Sequence, residues 1–309
     1  MLAILTNERF SDPDWIFERK LDGVRCLAFR KGSRIELLSR NRANKNTTYP
    51  ELLEPLRHQR VGDFVVDGEV VAFQGRGTSF SRLQRRMGAT TLEGARRSGV
   101  PVFYYVFDLL YLNGYDTTGL TLRDRKSLLE RAFTFRDPLR FSRHWDTHGE
   151  RYYARACRAG WEGLIAKRAD SPYQHKRSSD WLKFKCANQQ EFVIGGFTSP
   201  RGSRVGFGAL LVGYYDDSQL RYAGKVGTGY DTETLRRLGA RLSRLKQSRA
   251  SFADHARIQE RDATWVKPLL VAEVAFTEWT RDGKLRHPRF LGLRSDKPAR
   301  GVTREHPTA

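Results

Sequence analysis

A chain of 309 residues, 39% hydrophobic, is long enough for two packed domains. Its 55 Lys+Arg against 35 Asp+Glu leave a formal net charge of +20, which points to an anionic partner, nucleic acid first. The three cysteines (Cys26, Cys157 and Cys186) form no CxxC pair and suggest neither a disulfide framework nor a zinc site. No apolar run approaches the ~18 residues of a membrane span, and the polar N-terminus shows no cleavage pattern, so a reducing cytoplasm without membrane association is expected.

In chain order, "DWIFERK" reads as a strand ending at Lys20, followed by an Asp22-Gly23 turn. "RCLAFR-KGS-RIELLSR" reads as a hairpin around a glycine-containing turn. "PELLEPLRHQ" carries Pro50 near a helix start and leucines at helical spacing. "DFVVDGEVVAF" is strand-like. With period two, Val65, Asp67, Glu69, Val71 and Phe73 share one face, where two carboxylates among apolar residues are costly unless partnered. "SFSRLQRRMG" predicts a short basic helix, and its arginines, like those of "ARRSG", suit DNA-backbone contacts or a solvated face.

"PVFYYVFDLLYLNG" predicts a strand closed by an Asn-Gly turn, and "TLRDRKSLLERAF" a helix capped by Thr121. "HWDTH" places His144 and His148 four apart, but no glutamate follows the first and no third ligand is evident; a surface helix start is expected rather than zinc. "WEGLIAKR" and "DWLKFK" read as two further strands. Beyond about residue 187 the character changes to short, glycine-rich β runs interrupted by one helix, "DTETLRRLGARLSRL". Five short strands with one inserted helix suggest a Greek-key barrel of the OB type. A boundary near Cys186–Gln190 divides the chain into domains at 1–187 and 188–309.

The chemistry gathers around Lys20. A free lysine is almost wholly protonated at neutral pH, so a nucleophilic one needs desolvation or neighbouring cations. "WLKFK" puts Lys183 and Lys185 on one strand face, where two like charges repel unless an anion lies between them; an exposed edge strand that uses lysines against aggregation has the same pattern. Glu69 and Glu162 each sit in apolar strand context, fit to bind a metal, a ribose or an arginine. Arg25 would point back into the Lys20 pocket as an anion clamp, and Phe107 could stack on a base or simply join the core. No GxxxxGK[ST] loop is present, so a P-loop NTPase is not supported.

The ordered series "KLDGVR" (20–25), "SRN" (39–41), "DGE" (67–69), "FDLLYLNG" (107–114), "EGLIAK" (162–167), "WLKFK" (181–185) and "RHPRFLGLRSDK" (286–297) resembles the covalent nucleotidyltransferase superfamily. Within it the chain is most similar to ATP-dependent DNA ligases, especially the ligase domain of bacterial DNA ligase D and its small stand-alone relatives. The resemblance implies an α+β fold: a nucleotidyltransferase (adenylation) domain of antiparallel sheets with flanking helices, joined to a C-terminal OB-fold β-barrel.

It further implies that Lys20 attacks the α-phosphorus of ATP to give a covalent lysyl-AMP. Glu18 would read the adenine, Arg25 and Arg40 would bind phosphate and sugar, and Phe107 would stack on the base. Glu69 would contact the ribose or support the nucleophile and a metal, and Glu162 would contact Mg²⁺ or Mn²⁺. Lys167, Lys183 and Lys185 would hold the α-phosphate, while Arg294, Asp296 and Lys297 would close over the leaving pyrophosphate. Relatives often carry glycine where Arg42 stands, so a different turn geometry is expected there, with Arg42 free to meet DNA phosphate.

The implied partners are nicked or broken duplex DNA and an end-binding protein such as Ku. The implied form is a minimal monomeric enzyme without added clamping, polymerase or nuclease modules. An RNA ligase, a GTP-using capping-type enzyme and a non-catalytic nucleic-acid-binding protein on the same scaffold are the alternatives.

Overall fold

The computed structural model describes residues 1–75 and 77–305, so the last four residues of the expected second domain lie outside it. The chain divides into two compact units, Met1–Cys186 and Ala187–Glu305.

The first unit is built on two sheets. One runs in spatial order Leu2–Leu5, Arg177–Lys185, Gly163–Arg168, Trp15–Lys20, His144–Asp146. Apart from the parallel pairing of Leu2–Leu5, its ladders are antiparallel. The other runs Leu139–Phe141, Phe103–Leu112, Phe64–Val71, Val24–Lys31, Arg34–Ser39, and the Tyr115–Asp116 strand folds back on Phe103–Leu112.

Alternation decides what each sheet buries. Val24, Cys26 and Ala28, with Phe64, Val66 and Val70, and Tyr104 and Val106, form one large core beneath the second sheet. The opposite side of that sheet carries Arg25, Asp67 and Phe107. In the first sheet Phe17, Leu164, Ala166 and Phe184 pack together on the far face, which leaves Glu18, Lys20, Ile165, Lys167, Lys183 and Lys185 on the near one.

Helix Leu122–Ala132 fixes the two sheets to each other. Thr121 caps it as expected: its Oγ1 accepts from the Asp124 N–H at 3.1 Å. Arg125, fully buried, forms two bonds to Asp108 at 2.7 and 3.0 Å and donates to the carbonyls of Leu120 and Ser171. Such a pair is tolerated in the interior because both charges are satisfied.

Two local expectations need correction. His144 does not start a helix: it lies on a strand opposite Glu18, and only His148, at φ +48°, precedes the helix Gly149–Arg158. Register with Glu18 outweighs the i,i+4 pattern. The cysteines are not all isolated either. Cys157, on that helix, and Cys186, just past the Arg177–Lys185 strand, are joined by a disulfide across a Cα separation of 5.1 Å. Residues 29 apart in sequence meet because helix and strand pack on the same aromatic core.

The second unit has a five-stranded sheet in order Gln219–Val226, Leu210–Asp216, Asn188–Thr198, Ala263–Phe276, Arg289–Arg294. A parallel bridge between Thr228 and Arg289 draws the two outer strands together, with Phe290 N–H donating to Thr228 C=O at 2.9 Å. That contact gives the sheet its barrel character. Helix Thr232–Ser243, capped by Asp231, buries Leu235, Leu238 and Leu242 against it. Among the described residues no helix is long and apolar enough to cross a membrane.

Candidate active site

Strand register assembles the site. Gly163 stands opposite Lys20 on one side and Lys185 on the other; Ile165 stands between Glu18 and Lys183 in the same way. Directly opposed residues of antiparallel strands project to one face, so Lys20 and Lys185 flank a position that has no side chain. Two strand spacings put their Cα atoms roughly 10 Å apart, a gap suited to an anion. Glycine is required at 163: its φ is +147°, and an added Cβ would lie 1.8 Å from the Phe184 carbonyl oxygen.

Lys20 does not point into bulk solvent. Its side chain is 18% exposed and its Nζ pairs with Oε1 of Glu162, itself 9% exposed. The other Glu162 oxygen, Oε2, is buried without a hydrogen-bond partner. An ionised oxygen so placed is costly, and it marks where a positively charged group fits. Glu69 faces Arg25 across one ladder and Tyr105 across the next, half-buried beside this region.

Behind Lys20 lies a buried charge cluster. Glu18 accepts from Lys126 Nζ at 2.8 Å and Ser142 Oγ at 2.9 Å, and pairs with Lys167 Nζ at 3.0 Å. Burial alone would raise the Glu18 carboxyl, but the two ammonium groups outweigh it and hold it below the usual carboxylate range. Lys167 is pulled down to about 8, chiefly by burial and also by Lys126, against the attraction of Glu18. Its Nζ sits 4.4 Å from the ring centre of Phe107 and 4.1 Å from that of Trp181.

Phe107 and Trp181 meet edge to face at 5.8 Å, one from each sheet. The Trp181 indole N–H is also buried without a partner. Arg25 lies nearby, with its guanidinium engaged by both Asp67 oxygens and by Tyr173 Oη at 3.1 Å. Burial would lower the Arg25 pKa, but Asp67 more than compensates and the guanidinium stays charged. The anion clamp expected of Arg25 is therefore already half-neutralised by a carboxylate.

The structure thus brings together Lys20, Glu162, Lys183, Lys185, Glu18, Lys167, Phe107, Arg25 and Glu69. Arg40 is placed differently, on the exposed turn after Arg34–Ser39. In the same turn Arg42 has φ +59°, and its N–H donates to Ser39 C=O at 2.8 Å. An arginine here holds the left-handed backbone conformation that glycine favours.

A family model described as "ATP dependent DNA ligase domain" matches residues 1–185, and a second, "ATP dependent DNA ligase C terminal region", matches 203–297. The chain belongs to the ATP-dependent DNA ligase family. It is 38% identical over 301 residues, 95% of its length, to the multifunctional non-homologous end joining protein LigD of Pseudomonas aeruginosa. It is 30% identical over 299 residues to a DNA ligase of Thermococcus fumicolans. A solved structure, "mycobacterial DNA ligase D complexed with ATP and MES", matches with a TM-score of 0.68 at 34% identity, covering 98% of both chains. The chain spans only about a third of the LigD relative's length, 35%.

In the second unit, Arg294 forms two bonds to Asp296 at 2.7 and 2.9 Å and reaches Glu273 at 3.7 Å; Lys297 pairs with Glu191 at 3.0 Å. These five residues belong to that unit. Glu191 is depressed to about 2: burial opposes this, but Lys297 and Arg294 prevail.

Sequence reasoning missed Lys126, Asp67, Tyr173, Trp181 and Ser142 as site residues. A signal for Lys126 was present. Leu122, Arg125, Lys126 and Leu129 occupy positions 0, +3, +4 and +7, the core stripe of an amphipathic helix, and all four are buried. Two cations on a core stripe require buried carboxylates elsewhere, and Asp108 and Glu18 supply them.

Proposed function

We propose that this ATP-dependent DNA ligase seals nicks or ends in duplex DNA through AMP carried on Lys20. The lysine nitrogen attacks the α-phosphorus of ATP, forming a P–N bond as the bond to pyrophosphate breaks and the amine loses a proton. An oxygen of a DNA 5′-phosphate then attacks the AMP phosphorus, and Lys20 leaves with a proton restored. Finally a 3′-hydroxyl attacks the adenylated 5′-phosphate and AMP departs.

One observation carries this reading. Lys20 is sheltered at a strand end, held by a carboxylate with a spare oxygen, across a side-chain-free gap from Lys185. Attack on a triphosphate needs positioning and charge neutralisation above all. Glu162 orients the amine; Lys183 and Lys185 offer positive charge to phosphate oxygens. Phe107 and Trp181 form the aromatic wall on which adenine would rest, with Lys167 behind them. Arg294, Asp296 and Lys297 would serve the β- and γ-phosphates, and Arg40 the sugar or phosphate, as the family resemblance implies.

A divalent cation fits Glu162, whose buried Oε2 lacks a partner. Among the described residues no group of three His, Cys, Asp or Glu is arranged for a metal. Mg²⁺ or Mn²⁺ would therefore rest on Glu162, with Glu69 as the second candidate, and on the substrate's phosphates, as Mg²⁺ commonly does. When bound it neutralises charge on the triphosphate. Repair by end joining, with an end-binding protein such as Ku as partner, is the cellular setting we propose, supported by the named LigD relative. Domain limits of 1–187 and 188–309 are proposed from the change of sequence character near residue 187.

The test is incubation with Mg²⁺ and α-labelled ATP or GTP, followed by denaturation. Label from ATP should remain on the wild-type chain and be absent from Lys20→Ala. Adding nicked duplex should chase it into DNA. Label from GTP, or none from either nucleotide, would defeat the proposal.

A further inference from the structure

The Trp15–Lys20 strand has a second face with its own constellation. Arg19 lies between Glu18 and Lys20 in sequence and therefore projects away from both; it stands opposite Leu164, while Trp145 stands opposite Phe17 on that same far side. There a cleft of about 400 Å³ is lined by Arg19, Arg140, Arg143, Tyr105, Trp145 and Trp161, among others. Its volume falls in the roughly 300–1,000 Å³ range of small-ligand sites.

Charge and aromatic surface coincide in it. The Arg19 guanidinium lies 4.5 Å from the ring centre of Trp161, and its Nε and Nη2 are buried without a hydrogen-bond partner. Trp161 is stacked at 6.1 Å on Trp145, and Trp145 at 4.7 Å on Tyr152, both at 18° between planes. Arg140 is already matched by Asp137 and by Tyr105 Oη. Arg143 is exposed. Three guanidinium groups thus face one carboxylate, which leaves an excess of two positive charges beside a column of half-buried rings.

An anion alone would not call for the indoles, and an apolar ligand would not call for the arginines. A nucleotide satisfies both, since bases stack on aromatic and guanidinium planes while phosphates meet arginine. We propose that this cleft holds an unpaired nucleotide of a DNA strand, its base among the lining rings of Tyr105, Trp145 and Trp161 and its phosphate on Arg143 and Arg19. The choice of DNA rests on the ligase reading above. Arg19 leaves its strand on the face opposite Lys20, while Ser142, which bonds Glu18, also lines the cleft; the cleft would secure a single-stranded extension and not the reacting phosphate.

The experiment measures anisotropy of a labelled, 5′-phosphorylated oligothymidylate titrated with the full chain, for the wild type, Trp145→Leu and Arg143→Glu. AMP labelling of each protein is measured alongside. Each variant should bind the oligonucleotide about tenfold more weakly, in keeping with the loss of one aromatic or phosphate contact. AMP labelling should not change. Unchanged oligonucleotide affinity in both variants overturns the site. Competition by inorganic phosphate as effective as that by unlabelled oligonucleotide also overturns it, because no base would then be held. Loss of AMP labelling in both variants would make these residues part of the Lys20 chemistry and overturn a separate site. The ligase reading fails on a different observable, transfer of AMP from wild-type protein to nicked duplex; oligonucleotide binding lost in the variants supports the cleft whichever way that transfer goes.

Discussion

At the scale of single residues, the Lys20–Glu162 pair couples the proposed nucleophile to a carboxylate so closely that neither can be altered alone. Glu162→Gln keeps the shape but removes the charge that holds the amine. Misplacing a nucleophile by about 1 Å costs on the order of 10²-fold, so the rate of AMP labelling should fall by about that factor; a stopped-time course with labelled ATP measures it. Arg42 makes the opposite kind of prediction. A non-glycine residue at φ +59° bears a backbone cost of roughly 1 kcal/mol. Arg42→Gly should therefore raise unfolding stability by about 0.5–1 kcal/mol in a urea titration. If Arg42 also meets DNA phosphate, the same variant should bind duplex more weakly and show a shallower salt slope by about one.

At the scale of elements, helix Leu122–Ala132 holds the Glu18 strand by a charge. Lys126→Met would leave Glu18 with one ammonium in place of two, and breaking a buried pair costs about 3–5 kcal/mol. Urea denaturation of the variant should show a loss of that order, accompanied by weaker ATP labelling. Much of the layout was legible in the sequence because it is local: the Trp15–Lys20 strand, the Val24–Ser39 hairpin, the Thr121 cap and the helix within the second unit follow from periodicity and capping. The motif lysines were legible because their spacing repeats a family pattern. What was not legible is long-range pairing. Lys126 meets Glu18 over 108 positions and Tyr173 meets Asp67 over 106, and no local rule matches a buried cation to a given carboxylate. Asp67 was recognisable as needing a partner, but the register of Val24–Lys31 against Phe64–Val71 sets Arg25 opposite Glu69, and only the diagonal reach of the guanidinium across that ladder makes Arg25 the partner of Asp67.

At the scale of the whole molecule, acid stability follows from carboxylates held in ionised form. Glu18, Asp67 and Glu191 all have pKa values below their ordinary ones. In each case burial works against the depression, and neighbouring lysine or arginine outweighs it. Stability contributed by such groups is complete above about pH 4–4.5, where the unfolded chain is also ionised. It drains away as pH falls through the lower folded-state values. The melting temperature should hold between pH 7 and about 5 and then drop steeply toward pH 2, with both units affected because Glu191 lies in the second. The net charge of +20 sets a second global property. Duplex binding should weaken on the order of 10³-fold between 50 and 200 mM salt if about six phosphates are contacted.

The reactive face exists only because three strands keep step. Removing a single residue between Trp181 and Lys185 would not trim the site by one contact. It would turn the segment over, sending the lysines into the aromatic interior with Phe17 and Phe184's neighbours and presenting Leu182 and Phe184 to water. Short deletions in that strand should abolish activity outright.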